Sequence, residues 1–266
     1  MTYDIHRIRK RLRIGRPLHS DPMQLVHTVE GDVPVTFCVT NPDDAIQKKH
    51  WKGEFYEKAE LRALANIFPV GGTLLDIGAN IGNHTLYAAL IWKAARVVPV
   101  EPNPPAYNLL VHNISVNGVR DKVDLSHVGV GLSDRDETGF AMKEFPTNLG
   151  GAKMLPGQGD LTVCRGDELL SGLEPDMIKI DVEGMEMEAL RGLEGLFANR
   201  TPALLVEVRN TLSDDFFGWC DDHGYGCAAT VTRYKNNKNH LMVAAADLKD
   251  TKAALLGTAL EETVAG

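Results

Sequence analysis

The chain has 266 residues, 44% of them hydrophobic, enough to bury one large core and to exclude a disordered or repetitive chain. A formal net charge of −8 excludes a general nucleic-acid binder, which needs a positive face to release counterions, so no nucleic-acid partner is expected. Cys38, Cys164, Cys220 and Cys227 form no C-x-x-C pair and no metal-ligand spacing with histidine, and no apolar run is long enough to span a membrane or form a signal-peptide core; reduced thiols and a cytoplasmic location are expected.

Between Arg7 and Arg16 the chain packs Arg7, Arg9, Lys10, Arg11, Arg13 and Arg16 around Ile8, Leu12 and Ile14. This basic amphipathic arm suits an anionic surface, and is expected to be solvated or partly ordered. Two β-rich runs at 24–29 and 33–39, separated by Glu30-Gly31-Asp32, read as a hairpin. Apolar residues at helical spacing over 53–68 predict a helix that Pro69 and Gly71-Gly72 stop. Residues 1–60 are read as an N-terminal cap and 61–266 as the main domain.

A short apolar run from Thr73 ends at Asp76, breaks at Gly78-Ala79-Asn80-Ile81-Gly82, and reopens as a helix through Leu86, Leu90 and Ile91. That pattern is a buried strand, a loop facing a ligand, and a helix start with unpaired N–H groups. A dinucleotide fingerprint wants glycine at 80 and 83, which are Asn80 and Asn83, so a nicotinamide site fits poorly. The second strand, 96–101, ends in Glu101, 19 positions beyond Gly82, close to the offset of about 20 at which a carboxylate meets ribose hydroxyls. Pro102-Asn103-Pro104 then turns the chain away from the strand where such a ligand would lie.

A helix over 107–116 leads to a third strand at 123–130, followed by Ser133 and Asp134, which are candidates for an adenine amino group or for an ordinary turn. An insertion with loops fills 138–165. In Ile178-Lys179-Ile180-Asp181-Val182-Glu183-Gly184 a strand delivers Asp181 and Glu183 to the sheet edge where Asp76 and Glu101 end, the side on which open α/β sheets bind ligands. A helix over 185–197, a strand over 203–208, an antiparallel pair at 225–231 and 240–245, and a helix over 248–263 complete the chain, the last expected to serve packing or a homo-oligomer contact.

Asp76-Ile77-Gly78-Ala79-Asn80-Ile81-Gly82, Glu101-Pro102-Asn103, Leu132-Ser133-Asp134, Asn148-Leu149-Gly150-Gly151, Ile178 to Gly184 and Pro202 to Glu207 occur in one order, and together the chain resembles the FkbM family of methyltransferases over about residues 54 to 210. The resemblance implies a class I methyltransferase fold: a Rossmann-like, doubly wound α/β sheet of seven strands with a reversed last strand, here with the hairpin and helix cap added. It also implies S-adenosyl-L-methionine as methyl donor and transfer to a hydroxyl of a small-molecule or carbohydrate acceptor; amine methylation and a Rossmann-type oxidoreductase are the alternatives. Where the family shows Thr-Leu-Asp, this chain reads Arg165-Gly166-Asp167.

On this reading Asp76, Gly78, Ala79, Asn80, Gly82, Asn83, Glu101, Pro102, Asn103, Ser133, Asp134 and Asp181 bind the cofactor. Asp181, Glu183 and His84 are the candidate catalytic groups, and no metal is expected. Glu183 is weighed against capping the next helix, His84 against packing, and Lys179 is expected to pair with Asp76 or Glu207.

Overall fold

The computed structural model describes residues 4–16, 18, 21–198, 200–233 and 235–260. Strands β1 (Gln24–Glu30) and β2 (Val33–Val39) form the expected antiparallel hairpin, with Glu30 opposite Val33. Gly31 takes a left-handed φ of 60° in the two-residue turn, the conformation such turns require. The pleat sends Val35, Phe37 and Val39 into one core with Leu74, Leu86, Tyr87 and Leu110, so the hairpin covers one face of the main sheet. Its outer edge does not go unpaired. Asn113 Oδ1 accepts from the Cys38 amide and Asn117 Oδ1 from the Thr36 amide, both at 2.8 Å.

The chain then lays down β3 (Thr73–Ile77) and β4 (Arg96–Val100), followed by β5 (Gly131–Ser133), β6 (Glu137–Lys143), β7 (Lys153–Leu155) and β8 (Leu161–Arg165). It closes with β9 (Met177–Ile180), β10 (Ala203–Arg209), β11 (Tyr225–Val231) and β12 (Asn237–Ala244). The central sheet runs β11-β12-β10-β9-β3-β4. Neighbours from β4 to β10 are parallel, and β12 is reversed against both β10 and β11. Alternation along β3 splits the core: Leu74 faces the hairpin side, while Leu75 and Ile77 join Val98, Ile178, Ile180 and Leu204 on the other face.

The stretch 123–130 is not a seventh strand; it touches the sheet only through isolated bridges, Val97 with Val123 and Glu101 with Val128. Asp124 accepts from the Ser126 amide and winds Leu125–His127 into a 3₁₀ turn, lifting the chain off the edge. The carbonyls this frees, those of Leu125, Ser126 and Val128, accept from the Arg9 guanidinium at 2.6 to 3.0 Å, so the basic arm is docked as a helix, Ile5–Arg13. The helix expected over 53–68 is confined to Lys58–Leu64, because Gly53 and Glu57 take left-handed backbone before it. The helix over 185–197 is two, Glu186–Arg191 and Glu194–Phe197, broken where the Gly192 carbonyl accepts from the Asp167 amide. The last helix covers Leu248–Ala254, and 261–263 lie outside the described residues. The insertion is ordered as β6, β7 and β8, which join β5 in a second sheet of order β5-β8-β6-β7.

Candidate active site

Beyond β3 the backbone turns sharply. Gly78 has φ 74°, Asn80 φ 50° and Gly82 φ 84°, and the Gly78 and Ala79 amides both donate to the Val100 carbonyl at the end of β4. The loop therefore folds over the carboxyl ends of β3 and β4. Glu101 locks it there: one carboxylate oxygen accepts from the Asn80 amide and the other from the Asn103 amide, each at 2.7 Å. The side chain is 6% exposed, and burial pushes its pKa up to about 7 against the pull of those two N–H groups.

The loop forms one wall of a cavity of about 740 Å³, within the range of small-molecule sites. Gly78, Ala79, Asn80, Asn83, Glu101, Pro102 and Asn103 line it, as do His84, Asp181 and Glu183, so the structure brings these expected site residues into one chamber. Leu132, Met142, Leu149 and Met154 add apolar surface from the second sheet and the insertion. The loop carrying Leu149 is tied to the cap: the Leu149 amide donates to Asp44 at 2.7 Å and the Ala45 amide to the Thr147 carbonyl at 3.1 Å.

The cavity lining does not include Asp76, Gly82, Ser133 or Asp134, four of the residues expected to bind the cofactor. Asp76 is 0% exposed; strand alternation turns it toward the helix, where it accepts from Thr85 Oγ1 at 2.6 Å and faces Lys179 Nζ at 3.7 Å. Gly82 serves the packing of the loop, since a Cβ there would stand 3.1 Å from Leu110. Ser133 is wholly buried, and Asp134 pairs with Arg135 at 3.2 Å. Because β5 starts later than the expected third strand, Gly131 and Leu132 reach the cavity in their place. Asn83 does line it, but its carboxamide is engaged: Oδ1 accepts from the Tyr56 amide and Nδ2 donates to the Tyr56 carbonyl, both at 3.0 Å.

Lys179 organises the floor, donating to the Gly78 carbonyl at 2.7 Å and facing Asp181 at 3.4 Å. One carboxylate oxygen from each of Asp181, Glu183 and Glu207 lies within 4.8 Å of the others, the described group with spacing suited to a metal ion. Burial, then the charge of Asp181, raises the pKa of Glu207 and Glu183 alike. His84 is 8% exposed; burial, reinforced by Lys179, drives its pKa down to about 3, so the ring is neutral at physiological pH. Sequence reasoning missed Glu57, Arg209 and Lys153 in this lining. Glu57 sits inside a helical apolar pattern that carries no sign of a left-handed break.

Whether this chamber suits S-adenosylmethionine is tested by its unmet polar groups. Both carboxamide atoms of Asn103 (1% exposed) and Oδ1 of Asn80 are buried without a hydrogen-bond partner beside Glu101, and each Glu101 oxygen keeps a further lone pair. Polar hydroxyl and amino groups next to apolar Leu132 and Met154 match a nucleoside; the residues fit.

A parallel sheet with one reversed strand and a glycine loop over its carboxyl ends defines the Rossmann-like fold of class I methyltransferases. Residues 76–227 match the profile described as Methyltransferase FkbM domain, and the chain belongs to the FkbM methyltransferase family. That family uses S-adenosylmethionine. The chain is 30% identical over 142 residues to the hexuronic acid methyltransferase AglP of Haloferax volcanii, covering 52% of this chain and 56% of that protein. It is 26% identical over 168 residues to methyltransferase sdnD of Sordaria araneosa, covering 49% and 63%. The crystal structure of methyltransferase FkbM from Methylobacillus flagellatus superposes with a TM-score of 0.48 at 18% identity, covering 64% of this chain and 43% of that one. The chain thus spans less than two thirds of the length of each of these relatives. No helix among the described residues is long and apolar enough to cross a membrane.

Proposed function

We propose that the chain transfers a methyl group from S-adenosylmethionine to a hydroxyl of a sugar or sugar-like small molecule. The observation that carries this reading is the single chamber in which Glu101 and the glycine loop share walls with Asp181, Glu183 and His84, so a donor and an acceptor can meet in it. S-adenosylmethionine supplies a methyl already activated on a sulfonium. The residues then have two tasks, alignment of the acceptor oxygen and removal of its proton.

In this reading Glu101 takes the ribose hydroxyls on its remaining lone pairs, and the carboxamides of Asn103 and Asn80 meet the polar groups beside them. Asp181 and Glu183 hold acceptor hydroxyls, and their negative field suits the cationic donor. Arg209, Lys153 and Lys235 in the same lining suit an acceptor that also bears a carboxylate, in keeping with the relative named for hexuronic acid. The test is transfer of radiolabelled methyl from S-adenosylmethionine to a panel of hexoses, hexuronic acids and aminosugars. Labelled methyl ethers are expected; transfer only to amino groups would replace this reading with N-methylation.

Glu101→Gln supplies a second check. An amide oxygen can satisfy one of the two backbone N–H groups, while its NH₂ confronts the other. Losing one such charge-assisted contact costs about 1–3 kcal/mol, so donor binding should weaken by roughly 10- to 100-fold in calorimetry. Wild-type affinity in a folded Glu101→Gln protein would remove Glu101 from the ribose.

A further inference from the structure

Glu57 lies before the family match, on the N-terminal cap, and its backbone is held at φ 57°, a left-handed conformation costly for a residue with a Cβ. Its carboxylate, part of the cavity lining, is divided between two partners, of which His84 also lines the cavity. One oxygen meets Arg233 at 2.8 Å, and the other lies 3.5 Å from His84 Nε2. Arg233 comes from the far end of the chain, between β11 and β12, also pairs with Glu60, and lies over the Tyr56 ring at 5.2 Å. Two segments outside the family match are thereby drawn together beside a histidine inside it.

We infer that Glu57 is the positioning residue of His84: its free oxygen fixes the imidazole proton on Nε2, so that Nδ1 becomes the basic nitrogen of a ring lining the cavity. The inference rests on the methyl-transfer reading. Nδ1 hydrogen-bonds no described residue, and the ring stands at the start of the helix Asn83–Leu90, where the macrodipole disfavours a positive imidazole at rest. The charged and titratable groups around the ring are Glu57, Lys179, Asp181 and Arg233. Burial keeps the ring neutral, so its 3.5 Å contact with Glu57 is an approach rather than an ion pair or a formed hydrogen bond; such contacts tighten when substrate is bound.

The step balances. The acceptor oxygen bonds the methyl carbon as the methyl–sulfur bond breaks and its electron pair stays on sulfur. The hydroxyl proton passes to Nδ1, and the imidazolium charge faces the Glu57 carboxylate, whose orientation Arg233 has already set. Burial lifts Glu57 to about 7 despite Arg233, so the carboxylate form prevails above that pH.

The test is long-range proton–nitrogen correlation on protein carrying ¹⁵N-labelled histidine at pH 8, with the His84 signals assigned by their disappearance in His84→Gln. The wild type should show His84 protonated on Nε2. In Glu57→Gln the guanidinium of Arg233 draws the amide oxygen to itself and leaves NH₂ facing Nε2. A donor there demands an unprotonated nitrogen, so the protonated and unprotonated signals should exchange places. A proton on Nδ1 in the wild type overturns the inference, whether or not the variant folds; so does an unchanged tautomer in folded Glu57→Gln. Calorimetry with S-adenosylmethionine on the same wild-type sample separates the two readings, since failed donor binding strikes the methyl-transfer proposal and leaves the tautomer measurement to stand alone.

Discussion

Gly78→Ala should lose donor binding by about 100-fold or more, the scale expected when a binding constellation moves by about 1 Å. Gly78 has φ 74°, and a Cβ built there would lie 1.8 Å from the Asp181 carbonyl oxygen and 2.8 Å from its carbon. Both are backbone atoms at the end of β9, so no side-chain rotation relieves the contact. The loop must move off β9 and drag with it the amides that hold Val100 and the carbonyl that receives Lys179. Left-handed backbone adds about 1–2 kcal/mol for a residue with a Cβ. Gly71→Ala is the matched control: φ is 78° and nothing lies within 4 Å of the added carbon. It should show only the backbone cost in a denaturation curve, with donor affinity intact. Equal behaviour of the two variants in calorimetry would show that the close approach of β3 and β9 does not shape the site.

Lys179→Met should lower stability by about 3–5 kcal/mol, the cost of stranding a buried charge. The Lys179 side chain is 8% exposed, and its ammonium is the cation beside Asp76, which is wholly out of water. Methionine fills the space but leaves the Gly78 carbonyl without its donor and the Asp76 carboxylate with Thr85 alone. For a chain of this size the thermal midpoint should fall by on the order of 10 °C. Asp76→Asn placed on top of Lys179→Met should recover part of the loss, because it removes the stranded charge. If the double variant is no better than the single one, Asp76 and Lys179 are not coupled, and Lys179 stabilises the fold through the Gly78 carbonyl alone.

Much of this arrangement was legible because it rests on short-range rules. A short apolar run ending at Asp76, glycine at 78 and 82 and a helix start after them spell a strand, a left-handed loop and a helix. The Glu101-Pro102-Asn103-Pro104 turn marked the next strand end, and Ile178 to Glu183 announced a third. What stayed hidden depends on contacts distant in sequence. Asp76 ends an apolar run like a ligand residue, yet the pleat puts it on the face of Leu74, under the helix and against Lys179. Asp124 and Arg9 lie 115 positions apart, and together they turn a strand-like stretch, 123–130, into a turn capped by the N-terminal arm. Glu57 occupies a helix-patterned segment; its left-handed backbone accompanies a pairing with Arg233 that no local pattern encodes. Ser133 and Asp134 lie outside the cavity lining for the same reason that 123–130 is not a strand, since the sheet edge they were placed on is displaced.

The most direct measurement is calorimetric titration of the purified chain with S-adenosylmethionine, S-adenosylhomocysteine and NAD side by side. The account predicts micromolar binding of the first two and none of NAD, with the heat of S-adenosylmethionine binding reduced in Glu101→Gln. Binding of NAD alone would contradict it, for then the loop from Gly78 to Gly82 seats a pyrophosphate, and the roles given to Glu101, Asn103 and His84 would fall together.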